Sequence, residues 1–147
     1  MELDIKIKLV SPEAKVPAYA TDGAAGMDLC AAIDAPVVIP PGEIRRIPTG
    51  IAIGLPACSV VGLIYPRSGL SSRHGITMAN CVGVIDGDYR GEIVCPMINL
   101  GREAYSIEPG DRIAQIVFAP LYRANFTRVE ALDETDRGAG GFGSTGK

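Results

Sequence analysis

Asp86 closes an apolar run, Cys81-Val82-Gly83-Val84-Ile85, and opens the acidic stretch Asp86-Gly87-Asp88. A carboxylate at a strand end can be held rigidly enough to orient a water and take its proton. Two acids beside a turn are also ordinary loop composition, so the residue types alone leave both readings open. Pro66-Arg67-Ser68-Gly69-Leu70 sets a cation and a hydroxyl where a strand gives way to a short helical stretch, Ser68 to His74. Unpaired N–H groups at a helix start attract anions, which makes this a candidate phosphate seat; a hydroxyl N-cap beside a solvated arginine is the simpler alternative. Asp28 lies in the apolar setting Gly26-Met27-Asp28-Leu29, where a carboxylate needs a partner or a metal-bound water. Gln115 interrupts the run Ile113 to Phe118 and is either a solvent-facing strand residue or a ligand for phosphate or water.

The stretch from Asp133 to Lys147 is rich in glycine and carries one large apolar side chain, Phe142. It can bury little surface to offset its ordering entropy. Gly141 to Gly146 spells G-x-G-x-x-G, but no strand-turn-helix unit accompanies it, so a dinucleotide site is excluded. What remains is a run of N–H groups and two hydroxyls, Ser144 and Thr145, beside Arg137, chemistry suited to wrapping phosphate oxygens. An aromatic in such a run can stack on a base. The plain alternative is a frayed terminus.

The elements that must position these groups read as strands. Leu3, Ile5, Ile7 and Leu9 alternate with Asp4, Lys6 and Lys8, the period of a strand with one buried face. Short apolar runs recur at Val37 to Ile39, Ile44 to Ile47, Ile51 to Leu55, Val60 to Tyr65, Cys81 to Ile85, Ile93 to Leu100, Ile113 to Phe118 and Phe126 to Val129. Turn formers such as Pro40-Pro41-Gly42 and Pro109-Gly110-Asp111 separate them, and Asn80 to Glu92 reads as a hairpin. The pattern predicts an all-β sandwich or barrel with one short helix.

Composition agrees. The chain has 147 residues, 47% of them apolar, with 18 glycines and 11 prolines, which suits one domain of many short strands. A net charge of -3 supplies no overall basic field for nucleic acid or an anionic membrane, so an anionic ligand needs a local arginine cluster. Cys30, Cys58, Cys81 and Cys95 have no C-x-x-C spacing and only His74 to help them hold zinc; they are expected to be small buried apolar residues in a reducing compartment. The charged first ten residues do not resemble a signal peptide, and no apolar stretch is long enough for a membrane helix, so a cytoplasmic protein is expected.

Taken together and in order, AGMDLCA (Ala25 to Ala31), PRSGLS (Pro66 to Ser71), NCVGVIDGDYRGEI (Asn80 to Ile93), GDRIAQIVF (Gly110 to Phe118) and RGAGGFGSTG (Arg137 to Gly146) resemble the five motifs of the trimeric dUTPase family. Each motif alone is weak; five in order leave little room for chance. The resemblance implies a jelly-roll-like β fold, a homotrimer with sites shared between subunits, and magnesium-assisted hydrolysis of dUTP to dUMP and pyrophosphate. It implies a β domain over 1–132 and a flap over 133–147. Carried over residue by residue, it makes Asp86 the base that activates water. Asn80 with the main chain of Gly83, Val84 and Ile85 becomes the uracil reader, and Tyr89 the ring that packs on deoxyribose and excludes a 2'-hydroxyl. Arg67, Ser68, Gly69 and Gln115 match phosphate-binding positions. Arg137, Gly143, Ser144 and Thr145 match the flap's phosphate grip, and Phe142 its stacking aromatic. Asp28 matches the acid near the water shell of a magnesium ion held chiefly by the triphosphate. Ala139 and Gly87 depart from the pattern without touching this chemistry. A dCTP deaminase of the same architecture, or a catalytically silent trimeric jelly-roll, are the competing readings; the flap motif with Asn80 and Tyr89 opposes the first and Asp86 the second.

Overall fold

A computed structural model describes residues 2–56 and 59–141, which form eleven strands and one short helix. β2 (Met27–Cys30), β11 (Arg112–Pro120), β6 (Val60–Pro66) and β8 (Gly83–Ile85) make an antiparallel sheet in the order β2-β11-β6-β8. β4 (Ile44–Pro48), β9 (Val94–Asn99) and β7 (Ile76–Met78) make a second, in the order β4-β9-β7. β1 (Lys6–Leu9) pairs with β5 (Ile51–Gly54), and β3 (Val37–Ile39) with β10 (Tyr105–Ile107). The result is an all-β, jelly-roll-like fold in which neighbours in space are seldom neighbours in sequence.

Alternation builds the core. Along β9, Cys95, Met97 and Asn99 are buried while Val94, Pro96 and Ile98 are half-buried, as a period of two requires. They meet Leu29, Ile39, Ile47, Ile76, Ile107 and Ile113, all essentially inaccessible. The two buried polar side chains among the described residues have partners. Thr49 Oγ1 donates to Ile93 O at 2.6 Å; Asn99 Nδ2 donates to Ile39 O at 2.8 Å and Glu103 O at 2.7 Å. Burial pushes the Cys95 thiol up to about 12.

The one helix among the described residues, α1 (Ser68–His74), falls where the sequence places it and ends at Gly75, whose φ of 69° is the left-handed C-terminal geometry that glycine accepts most readily. Its N-cap is Arg67 with no side-chain hydrogen bond, so the expected hydroxyl cap is absent.

Other expectations are corrected. Phe126 to Val129 is not a strand: among the described residues nothing pairs with it, and Phe126 is 98% exposed. β1 is shorter than the alternation from Leu3 and has no buried face; Leu3, Ile5 and Ile7 instead line an apolar groove of about 220 Å³ with Ile53, Ile116 and Phe118. Asn80 to Glu92 is not a hairpin, because β8 pairs with β6 and the chain beyond Ile85 turns away toward β9. Cys95 is buried and Cys30 half-buried, but Cys81 is exposed, and Cys58 lies outside the described residues. β2, β7 and β10 had no distinct apolar run to announce them.

Candidate active site

Sheet register assembles one half of the site. Gln115 of β11 sits directly opposite Asp28 of β2 on one side and Tyr65 of β6 on the other. Residues directly opposite share a face, and the period of two adds Arg67 and Val117 to it. Together with Ser68, Gly69 and Gly26 they line a cleft of about 530 Å³.

Within this cleft Arg67 Nε lies 2.9 Å from Asp28 Oδ1, and Arg112 Nη1 lies 3.2 Å from Asp28 Oδ2. Asp28 thus has cationic partners on both oxygens and acts on Arg67 as an orienting group. Gln115 Nε2 donates to Pro66 O at 3.1 Å. A carbonyl can only accept, so this bond fixes which end of the amide faces Pro66. The other end lies over Gly26, where a Cβ would stand 2.7 Å from Gln115 Oε1. Gly26 therefore gives the amide its room. Burial pushes the pKa of the nearby Cys30 thiol up, the Asp28 carboxylate adds to the rise, and Lys15, Arg112 and Arg67 oppose it with smaller effects.

The other half lies along β8 and the turn beyond it. Gly83 and Ile85 are buried, whereas Val84, Asn80 and Asp86 are exposed. A Cβ on Gly83 would stand 3.3 Å from Ile64 Cβ and 3.5 Å from Asn80 Nδ2, so the strand there runs close to its neighbours. After Asp86 the chain turns, with Tyr89 N donating to Asp86 O at 3.2 Å. Tyr89 is 43% exposed and its hydroxyl donates to Glu92 O at 2.9 Å. Arg90 Nη1 donates to Gly87 O at 2.9 Å and Tyr89 O at 2.7 Å, and Glu92 Oε1 accepts from Gly50 N at 2.8 Å.

One chain does not unite the halves. Ile85 pairs with Gly62, so Asp86 lies at the opposite end of β6 from Arg67. At about 3.3 Å per residue that is a separation of roughly 15–20 Å. Arg137 is exposed, with Nε donating to Gly140 O at 2.8 Å in a local turn. Phe142, Gly143, Ser144 and Thr145 lie outside the described residues. Among the described residues no three metal-ligating side chains come together, and no helix is long and apolar enough to cross a membrane. Sequence reasoning missed Arg112, Tyr65 and Gly26. Their signal is cross-strand register, which a single sequence displays only once the strand pairs are known.

Known proteins resemble this chain throughout. The family model for dUTPase matches residues 12–146. A deoxyuridine 5'-triphosphate nucleotidohydrolase of Desulfitobacterium hafniense is 54% identical over 132 residues, 90% of this chain and 87% of the relative. A Staphylococcus bacteriophage 80alpha dUTPase solved with dUPNHPP superposes with a TM-score of 0.89 at 29% identity, covering 98% of this chain and 99% of that one. A point mutant of the dUTPase from phage phi11 of S. aureus, described with a structural Mg(II) ion, has a TM-score of 0.80 at 25% identity, covering 89% of this chain and 99% of that one. On a match that spans both the cleft and the β8 turn, this chain belongs to the dUTPase family.

Proposed function

We propose that this chain is a dUTP pyrophosphatase that hydrolyses dUTP to dUMP and pyrophosphate, restraining uracil incorporation into DNA and supplying dUMP for thymidylate synthesis. The observation that carries the reading is the cleft where Asp28, Arg67, Ser68, Gly69 and Gln115 converge, in a chain whose relatives are named for this substrate. Arg67 is oriented by Asp28 toward the phosphates. Gln115 gives one amide hydrogen to Pro66 and keeps the second for a phosphate oxygen. Asp86 takes the proton of a water that attacks the α-phosphorus, and pyrophosphate leaves. Asn80 and the main chain from Gly83 to Ile85 read uracil, and Tyr89 packs on the deoxyribose.

Magnesium, when bound, neutralises triphosphate charge and holds water in place. The donor set fits an ion carried by the nucleotide, since Asp28 offers one carboxylate at the cleft and, among the described residues, no further acids gather with it into a metal cage. Residues 133–147 serve as a flap on the β domain of 1–132. In it Arg137, Gly143, Ser144 and Thr145 grip phosphate, Phe142 stacks on uracil, and closure excludes water that would weaken these interactions.

The working form is a homotrimer. The roughly 15–20 Å between Asp86 and Arg67 along one chain supports a site in which the catalytic base comes from another copy. Tyr122, Phe126 and Leu132, at 95%, 98% and 86% exposure, are apolar surface that a partner copy would cover. The free thiols of Cys30, Cys81 and Cys95 suit a cytoplasmic, reducing setting. Pyrophosphate release from dUTP under magnesium, with dCTP, dTTP and UTP as competitors, tests the assignment.

A further inference from the structure

Gly91 is a glycine without a backbone reason. Gly42, Gly50, Gly75, Gly110 and Gly138 have positive φ, and Gly91 is not among them. An alanine there would be acceptable to the main chain. The obstacle is a side chain. A Cβ on Gly91 would lie 2.5 Å from Tyr89 Oη, 2.7 Å from its Cζ and 3.0 Å from its Cε2, the first two closer than a real carbon tolerates. The ring folds back across Gly91 and is tied there by its hydroxyl to Glu92 O. Glu92 is in turn fixed, through its carboxylate, to the amide of Gly50. Because Tyr89 is part-exposed, its ring has solvent to swing into if the space over residue 91 is filled.

We infer that Gly91 is a positioning residue for sugar specificity: the missing side chain at 91 sets the height and tilt at which the Tyr89 ring meets the sugar. The inference rests on the proposed contact between Tyr89 and deoxyribose. It adds that discrimination depends on a groove one atom deep beneath the ring. A methyl group at 91 should lift the ring, blurring the fit against the 2'-position while leaving Asp86 and the phosphate cleft in place.

The test is the ratio of kcat/KM for dUTP to that for UTP, measured on the full chain with magnesium. Gly91→Ala is expected to lower this ratio by on the order of tenfold, with kcat for dUTP little changed, since specificity is a ratio of these constants. In a Tyr89→Ala background the same substitution should lower it no further, because its effect runs through the ring. An unchanged ratio in Gly91→Ala, while Tyr89→Ala loses discrimination, would overturn the role of Gly91 and leave the sugar contact standing. An unchanged ratio in Tyr89→Ala would remove the sugar contact itself. Should Gly91→Ala fail to fold, the double variant with Tyr89→Ala decides, since it removes the ring that the new methyl would strike: a double variant that folds supports the inference, and one that also fails to fold sinks it.

Discussion

Asp86 and Asp28 are both carboxylates in family motifs, yet their surroundings differ. Asp86 is exposed at a strand end, while Asp28 is paired with Arg67 and Arg112. Replacing Asp86 by Asn should retain nucleotide binding and fold but reduce turnover by about 10²- to 10⁴-fold, the usual scale for a general base; near-normal steady-state rates would remove Asp86 from the mechanism. Asp28→Asn keeps the shape and loses the charge that orients Arg67. Its expected effect is a loss on the order of tenfold in kcat/KM, since a hydrogen bond between charged groups outweighs a neutral one and both partners here are part-exposed. Steady-state kinetics with dUTP and magnesium will show it. Arg67, Ser68 and Gln115, singled out in the sequence because their types suit phosphate chemistry, line one cleft in the fold. Arg112 and Gly91 were not singled out, because what they do is a relation to a neighbour: one bonds across a strand pair, the other makes space for a ring.

At the scale of elements, turn residues and apolar runs marked β3, β4, β5, β6, β9 and β11, each of which buries at least one side chain, whereas α1 buries none and was marked by the residues at its start. The runs failed at Phe126 to Val129, where strand-like residues have no strand paired with them among the described residues; the run Cys81 to Ile85 does contain β8, but its partner is β6 rather than a hairpin arm. β9 offers a pH test through Cys95. Its thiol is pushed up to about 12 from an ordinary 9.0 by burial, so unfolding releases a proton at alkaline pH. Stability from this group is complete below pH 9.0 and falls as pH rises from there toward about 12. Thermal melts at pH 8 and pH 10 should therefore show a larger drop for the natural chain than for Cys95→Ala. The tail carries its own prediction. A chain truncated after Asp136 should fold normally, because the segment offers the core little apolar surface, yet its activity should collapse. Phe142→Ala should be milder, as stacking on a base is worth about 1–3 kcal/mol. Full activity after truncation would make the tail a frayed end.

For the whole molecule, the separation between Asp86 and Arg67 has a consequence that no single-chain enzyme would share. Asp86→Asn and Arg67→Met should each be inactive alone. Refolded together in equal amounts, they should regain about a quarter of natural activity, because random assembly of a cyclic oligomer pairs an intact Asp86 with an intact Arg67 on a neighbouring copy at that frequency. Light scattering should give about three times the chain mass of 15.4 kDa. The assay that bears most directly on the central claim offers dUTP, dCTP, dTTP and UTP separately to the purified protein with magnesium and follows pyrophosphate and ammonia. Rapid pyrophosphate release from dUTP, slow release from the other three and no ammonia is the predicted result; ammonia from dCTP, or no turnover of dUTP, would contradict it.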